Sequence, residues 1–364
     1  MKGVSIYRAT ATLFFLILLV AFLYLGRPFL VPLSFAIILS MLFLPVSRKL
    51  EDWGLSRLLA TIACLLILVL IITGFVWVIA SEITRISQDM DEMWPRLQQV
   101  IDQVQQWINQ EFGISPWKQT KFVDDQSEKL ADSSNSMVKV FLNGVLGMIS
   151  SIVLVLIYML FLIWQRDKYK RFFLKISSHE SKPEAKDTIR EITQVSSKYL
   201  GGRLVSMLFL AIFYGVGFSA IGLRNAILMS LLAVLPSIVP YIGPFIGSFF
   251  PISMALLSGS TDLVIPTILI LVAAQAIDNN LIEPFVMGAN MNLSPLMIIV
   301  AIVTGELIWG VAGMILFIPL FAVIRAICDH IPSLSPLGFL MQDDLSESVW
   351  IGKIKDYFKS LKNK

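Results

Sequence analysis

The segment QAIDNNLIEPFVMGANMNLSP, which runs from Gln275 to Pro295, places a cluster of polar residues between two apolar runs. The run before it reads LVIPTILILVAA, and the run after it reads LMIIVAIV. Both are rich in Leu, Ile and Val, as expected for helices in a lipid bilayer. Because polar side chains are costly at that depth, the solvent around the segment decides what these residues can do.

The composition of the whole chain indicates a membrane protein. Of its 364 residues, 56% are hydrophobic and 15% are charged, and the mean hydropathy is +0.76. Soluble domains carry about 25% charged residues. At roughly 20 residues per span, we predict an all-α polytopic membrane protein with about eight hydrophobic segments. The apolar runs are Ala9–Leu25, Phe29–Leu44, Leu58–Ala80, Met137–Trp164, Leu204–Leu223 and the long region Ala226–Ile324.

Several other classes of protein are disfavoured. Two cysteines, Cys64 and Cys328, are too few for a disulfide framework or a Cys-rich metal site. The net charge of +3 gives no indication of nucleic-acid binding, and no GxxxxGK[ST] motif for nucleotide phosphates occurs. A serine protease built on Ser219 of GFSAIG would lack an intramembrane histidine base. We therefore expect no enzymatic activity, no metal site and no cofactor beyond a coupling Na⁺ or H⁺.

Positive charges predict the orientation of the chain. Lys and Arg cluster before the first span, between the second and third, after the fourth, and at the C-terminal end. Because such clusters stay in the cytoplasm, both termini are predicted to be cytoplasmic. The N-terminal run is not followed by a small-residue cleavage site, so it is interpreted as a retained first helix rather than a signal peptide.

Spans and charge clusters divide the chain into six predicted parts. They are three transmembrane helices (1–80), an extracytoplasmic acidic amphipathic helical arm (81–136), a fourth transmembrane helix (137–164), a cytoplasmic basic connector (165–199), a C-terminal transport core with broken helices (200–327) and a cytoplasmic tail (328–364).

The predicted arm carries a heptad pattern. Apolar residues recur at alternating spacings of three and four from Ile83 to Trp107, interrupted by Pro95. Such a helix either lies on its own protomer or on the lipid surface, or it pairs with the same helix of another protomer. The second alternative predicts a homo-oligomer.

Two long apolar stretches of the C-terminal half, Ala226–Leu257 and Pro295–Ile327, are predicted to be broken helices or re-entrant hairpins. Proline removes a helical hydrogen bond, and freed backbone groups are tolerated in a membrane only inside protein or beside a water-filled cavity. The chain therefore has either eight full spans or six full spans plus two hairpins. The predicted break or hinge residues are Pro236, Pro240, Tyr241, Gly243, Pro244, Pro284, Gly288, Gly310, Gly313 and Pro319.

The two stretches also resemble each other weakly. At an offset of 67 positions, Gly243 aligns with Gly310 and Phe250 with Phe317. Each stretch follows one uninterrupted apolar helix, so a helix-plus-hairpin unit used twice would give an inverted repeat, as in many secondary transporters. The alternative is a chance similarity among Gly, Pro and Phe in apolar sequence.

The polar cluster predicts an ion- or substrate-binding site. The Asp278 carboxylate, the Asn279 side chain and the carbonyl of Asn280 supply oxygen ligands suited to Na⁺ or a proton, because a proline four residues after Asn280 cannot donate to that carbonyl. The alternative is a solvated turn at the membrane surface. Arg203 and Arg224 are interpreted as interfacial anchors. The predicted ligands are Asp278, Asn279, Asn280, Glu283 and Glu306.

Three stretches, LPSIVPYIGPFIG, QAIDNNLIEPFVMG and LSPLMIIVAIVTGELIWGVAGMILFIPLFAVI, resemble the AI-2E family of bacterial transporters. The N-terminal half resembles the family in hydropathy and loop order alone. Two residues depart from the family pattern: Arg203, where Gln is more frequent, and Glu306, where a small residue is more frequent. The matching features are Pro240–Pro244, the acid–Asn pair Asp278–Asn279, Pro284–Gly288, the Gly310/Gly313 pair and Pro319–Leu320.

The resemblance implies a permease of the bacterial inner membrane that exports small molecules, with autoinducer-2 as the substrate that gave the family its name. It also implies Na⁺/H⁺ antiport, to which other members are linked. We therefore expect a secondary transporter that exports a small solute or exchanges Na⁺ for H⁺ through intramembrane carboxylates. The alternative is a non-transporting scaffold or regulator that acts through the arm. Expected partners are membrane lipids, a small-molecule or cation substrate and further copies of the chain, but no nucleic acid.

Overall fold

The computed structural model describes residues 6–81, 134–176, 182–258, 261–287, 293–331 and 334–343. The predicted heptad pattern from Ile83 to Trp107 and the predicted hinge Gly288 lie outside these residues. The same holds for most of the predicted arm and for the end of the predicted cytoplasmic tail.

Within the described ranges the regular structure is helical, and the β structure there is one isolated antiparallel bridge between Leu293 and Gln342. The α-helices are α1 (Ile6–Leu25), α2 (Arg27–Asp52), α3 (Arg57–Ser81), α4 (Ser134–Trp164), α5 (Arg166–Ile176), α6 (Lys182–Ala220), α7 (Ala226–Val234), α8 (Ile242–Leu257), α9 (Val264–Ile277), α10 (Glu283–Met287), α11 (Pro295–Trp309), α12 (Val311–His330) and α13 (Ser335–Met341).

Six helices in the described part of the chain are long and apolar enough to cross a membrane: Arg27–Asp52, Arg57–Ser81, Gly147–Trp164, Lys186–Ala220, Val264–Val286 and Val311–His330. Four shorter apolar helices accompany them: Thr10–Leu25, Ala226–Ile238, Ile242–Leu257 and Pro295–Trp309. The prediction of an all-α polytopic membrane protein is therefore confirmed.

The contacts divide the chain into two compact units that alternate along the sequence. The first comprises Met1–Ala63, Leu154–Arg203 and Pro284–Lys364, and the second comprises Cys64–Val153 and Leu204–Glu283. The units do not follow one another in the sequence, since α3, α4 and α6 each run from one unit into the other.

A hairpin of α7 and α8 forms part of the second unit. After α7 comes a 3₁₀ turn, Leu235–Ile238, which includes Pro236. Val239 is extended, with φ −94° and ψ 114°, as expected for a residue that precedes a proline. Tyr241 then takes φ +64°, a backbone conformation that residues other than glycine rarely adopt. Helix α8 begins at the next residue.

Glycines allow the two arms of this hairpin to touch. A Cβ atom added to Gly243 would overlap the carbonyl of Pro236, and one added to Gly247 would overlap the carbonyl of Ala233. Pro244 is the third residue of α8, where its missing N–H removes no helical hydrogen bond. The buried core around the hairpin comprises Leu210, Tyr214, Phe218, Leu223, Leu228, Met229, Ala233, Val234, Met254, Ala255, Leu271 and Ala274.

A second hairpin, of α11 and α12, lies in the first unit. Its turn is the single residue Gly310, with φ +63° and ψ −144°, which glycine adopts without steric cost. The helices are closest at Gly305 and Gly313, where a Cβ atom on either residue would overlap the backbone of the other. Trp309, the last residue of α11, donates from Nε1 to the carbonyl of Leu23 in α1 at 2.9 Å.

The two hairpins use their glycines differently. Gly310 forms a turn, whereas Gly243, its partner at an offset of 67, packs inside the first turn of α8. Within the first hairpin the residue with the reversing, positive φ is Tyr241. Pro319 is buried inside α12, which continues through it without an interruption. The sequence similarity therefore pairs residues of different structural roles.

Candidate functional site

The helix that carries the polar cluster does not end at Pro284. After α9 the chain forms a π-helical turn, Asp278–Ile282, and then continues as α10 to Met287. The amide of Glu283 donates to the carbonyl of Asp278, five residues earlier. Pro284 has no N–H for the carbonyl of Asn280, and its ring crowds that carbonyl. One wider turn accommodates the proline, and such π turns occur frequently at functional sites.

Asp278 begins this π turn and is buried, with 1% of its surface exposed. The Ser206 hydroxyl, on α6, donates a hydrogen bond of 2.7 Å to Oδ2 of Asp278. Ser206 is itself fully buried. Asp278 lies fourteen residues after Val264, about 21 Å along the candidate span at 1.5 Å per residue. The predicted carboxylate therefore lies inside a candidate membrane-spanning helix and is shielded from solvent.

A second polar link joins the same two helices. Nε2 of Gln275, three residues before Asp278, donates to the Tyr214 hydroxyl at 3.0 Å. Tyr214 is 2% exposed and stacks on Phe218, with ring centroids 5.5 Å apart and an interplanar angle of 4°. The hydrogen bonds of Ser206 and Tyr214 therefore connect α6 to the polar end of α9 and to its π turn.

Sequence reasoning missed Ser206, Tyr214 and Gln275. A signal was present, because Ser206 and Tyr214 are polar residues eight positions apart in an apolar run. That spacing places both on one face of a helix. Gln275 is likewise three positions before Asp278, on the same face of its helix.

The other predicted ligands are placed differently. Asn279 and Asn280 are exposed, and the Asn280 side-chain amide donates to the carbonyl of Ala276 in its own helix at 2.8 Å. Glu283 is half-buried, and Glu306 is exposed on α11 in the first unit. Of the five predicted ligands, Asp278 is the buried one. In the described ranges no cluster of three or more His, Cys, Asp or Glu residues could hold a metal ion.

Arg203 is also buried, with 3% of its surface exposed. The sequence suggested an interfacial anchor at this position, but α6 continues as a helix well beyond it on both sides. A buried guanidinium in a candidate membrane span is costly unless other groups compensate its charge.

Comparisons with known proteins agree with this architecture. The model of the AI-2E family transporter matches residues 13–333. YueF of Bacillus subtilis (strain 168), by its name a proposed transport protein, is 26% identical over 318 residues, covering 81% of this chain and 82% of YueF. YrrI of the same organism, also named as a proposed transport protein, is 24% identical over 318 residues, covering 82% of this chain and 86% of YrrI.

PerM of Escherichia coli (strain K12), by its name a proposed permease, is 28% identical over 208 residues, covering 56% of this chain and 59% of PerM. The family match extends over most of the chain, including both hairpins and the helix that carries Asp278. The chain therefore belongs to the AI-2E transporter family.

Proposed function

We propose that this member of a membrane-transporter family is a secondary transporter of the bacterial inner membrane, and that Asp278 is its coupling group. On this proposal both termini are cytoplasmic. The cargo is a small hydrophilic solute similar to autoinducer-2, or Na⁺ in exchange for H⁺.

The observation that carries the proposal is the burial of the Asp278 carboxylate inside a candidate membrane span. A carboxylate at that depth is stabilised by a bound proton or cation and by hydrogen bonds. The Ser206 hydroxyl donates to Oδ2 and orients the carboxylate. On this proposal the buried carboxylate binds and releases a proton or a cation, which is the property that a coupling group needs.

The π turn gives this group a further property. Main-chain hydrogen bonds around Asp278 follow the five-residue pattern, while α9 before it follows the four-residue pattern. A change between these patterns would rotate the side chains of the turn relative to α9. We propose that such a change accompanies release of the proton or cation from Asp278.

The experiment uses the purified full-length protein in proteoliposomes. It follows Na⁺/H⁺ exchange with an internal pH-sensitive dye and autoinducer-2 efflux with a chemical assay, each under proton and sodium gradients. We expect one of the two fluxes to exceed that of empty liposomes. If neither does under any gradient, the transporter proposal is contradicted.

The scaffold alternative depends on the predicted arm, most of which lies outside the described residues. Deletion of residues 81–136 distinguishes a scaffold from a transporter in cells. If the protein is a scaffold, this deletion abolishes its cellular function. The flux of solute or Na⁺ in cells that express the full-length protein then equals the flux in cells without it. A transporter requires a flux that depends on Asp278.

A further inference from the structure

A cavity of about 740 Å³ lies in the first unit, walled by the C-terminal part of α2, by α5 and by the N-terminal part of α6. This volume falls within the range of small-molecule sites in proteins. The cavity contains none of the residues of the Asp278 site, which belongs to the second unit.

Both long walls are continuous helical stripes. On α2 the lining residues run from Met41 to Asp52 at spacings of three or four, with some adjacent pairs, and on α6 a similar stripe runs from Lys186 to Lys198. These spacings place each set on one face of its helix. Two regular helices therefore build the cavity, and it is not a gap between loops.

The cavity is strongly cationic. Two acids, Asp52 and Asp187, also line it, so the formal charge of its walls is six minus two, or +4. None of the six cations forms an ion pair within the part of the chain that the structure describes. The six cations are Arg48, Lys49, Lys170, Lys186, Arg190 and Lys198.

Two neighbouring acids that do not line the cavity, Glu51 and Asp167, are paired with arginines outside it. Arg166 contacts Glu51 through two hydrogen bonds of 2.7 Å, and Arg57 contacts Asp167 at 2.8 Å. These carboxylates therefore do not neutralise the cavity. Six like charges in one cavity repel one another, and a bound anion relieves that repulsion.

The polarity of the cavity changes along α2. Met41, Leu44 and Pro45 form an apolar wall on the side that continues into the candidate membrane span, and Arg48 and Lys49 follow one turn later. A soluble anion would gain nothing from the apolar wall, whereas an amphiphile would use both parts. Basic pockets between membrane helices bind acidic lipid headgroups, and Arg and Lys are the usual partners of phosphate.

We propose that this cavity binds the phosphate headgroup of an anionic membrane lipid, and that the acyl chains of the lipid lie along Met41 and Leu44. The lipid phosphate contacts cations of both α2 and α6 and reduces the net positive charge between them. This inference is independent of the proposed coupling role of Asp278.

The test measures lipid binding to the full-length protein in detergent by native mass spectrometry. Phosphatidylglycerol, phosphatidylcholine and inorganic phosphate are titrated separately. The variant Arg48→Gln/Arg190→Gln removes one cation from each helical wall. The matched control, Arg171→Gln/Lys175→Gln on α5, removes the same charge from exposed positions that do not line the cavity.

We expect phosphatidylglycerol to bind more tightly than phosphatidylcholine. The cavity variant should weaken phosphatidylglycerol binding at least about tenfold, since each cation near a headgroup contributes to the attraction, while the control should stay close to wild type. If the cavity variant does not purify as a folded protein, Lys186→Gln/Lys198→Gln, confined to exposed positions of α6, carries the same expectation.

Two results would overturn the proposal. Equal weakening in the cavity variant and the control would mean that the lipid responds to overall charge and not to this cavity. Binding of inorganic phosphate, with phosphatidylglycerol no tighter than phosphatidylcholine, would mean that the cavity takes a small soluble anion instead of a lipid.

Discussion

At the scale of single residues, Asp278 is a buried carboxylate inside a candidate membrane span. Its carboxylate is 1% exposed, and the Ser206 hydroxyl donates a hydrogen bond of 2.7 Å to its Oδ2. A buried carboxylate is expensive unless a proton, a cation or hydrogen bonds stabilise it. The proposed coupling role is therefore tested most directly at Asp278 and at Ser206.

The variant Ser206→Ala tests the orienting bond. It removes a buried hydrogen bond to an ionisable group, worth about 1.5–3 kcal/mol, so we expect lower thermal stability in detergent and a reduced flux in proteoliposomes. The matched control is Ser230→Ala, also buried, whose hydroxyl donates to Ile227 in its own helix. If both variants show the same flux, Ser206 does not position Asp278.

Sequence reasoning found Asp278 but not its partners. A charge in an apolar run stands out because burial of charge needs a reason. Ser206 and Gln275 do not stand out, since uncharged polar residues occur in membrane helices without special roles. Which of them meets an ionisable group depends on how α6 packs against α9, and one sequence does not specify that packing.

At the scale of elements, the helix through Asp278 shows how a proline can be accommodated without ending a helix. The sequence predicted a break at Pro284, and the structure instead has a π turn that continues into α10. The π turn lies just before Pro284, whose missing N–H is a property of proline alone. The choice between a break and a π turn depends on packing around the turn.

The variant Pro284→Ala tests whether the π turn matters for transport. Alanine restores an N–H for the carbonyl of Asn280 and favours the regular α pattern. We expect thermal stability equal to or higher than that of wild type, together with a lower flux, because the Asp278 side chain rotates relative to α9. Wild-type flux in this variant would show that the π turn is structural only.

The glycine contact of the second hairpin gives an independent prediction for an element. In Gly313→Ala the new methyl group overlaps the backbone of Gly305, so α11 and α12 must separate. We expect a loss of about 1–3 kcal/mol in the free energy of unfolding, as for overpacked cores. Thermal unfolding in detergent measures this loss.

The control is Gly74→Ala in α3, where an added Cβ would meet nothing within 4 Å. It should be neutral or slightly stabilising, because alanine is the better helix former. Equal effects of the two variants would contradict a specific contact between Gly305 and Gly313.

At the scale of the whole molecule, the apolar runs predicted the helical membrane class because span length is set by bilayer thickness. In the described part of the chain, six helices are long and apolar enough to span a membrane, and four shorter apolar helices accompany them. The order of elements was readable from hydropathy. The division into two units that alternate along the chain was not, because it depends on contacts between distant segments.

The predicted orientation has its own test. Two single-cysteine additions are expressed separately, and each is labelled in intact spheroplasts. They are Lys118→Cys, in the predicted outer arm, and Lys359→Cys, in the predicted cytoplasmic tail. A membrane-impermeant maleimide should label the first directly and the second only after permeabilisation, because the basic clusters stay in the cytoplasm. The native Cys64 and Cys328 are buried and should contribute little background. Direct labelling of Lys359→Cys would reverse the orientation.

The most direct test of the account compares Asp278→Asn with Asp262→Asn in the proteoliposome flux assay. Both replace one carboxylate with its amide, but Asp262 is exposed immediately before the same candidate span. We predict that gradient-driven flux falls to the level of empty liposomes in Asp278→Asn and stays near wild type in Asp262→Asn. Wild-type flux in Asp278→Asn would contradict the coupling role of this residue.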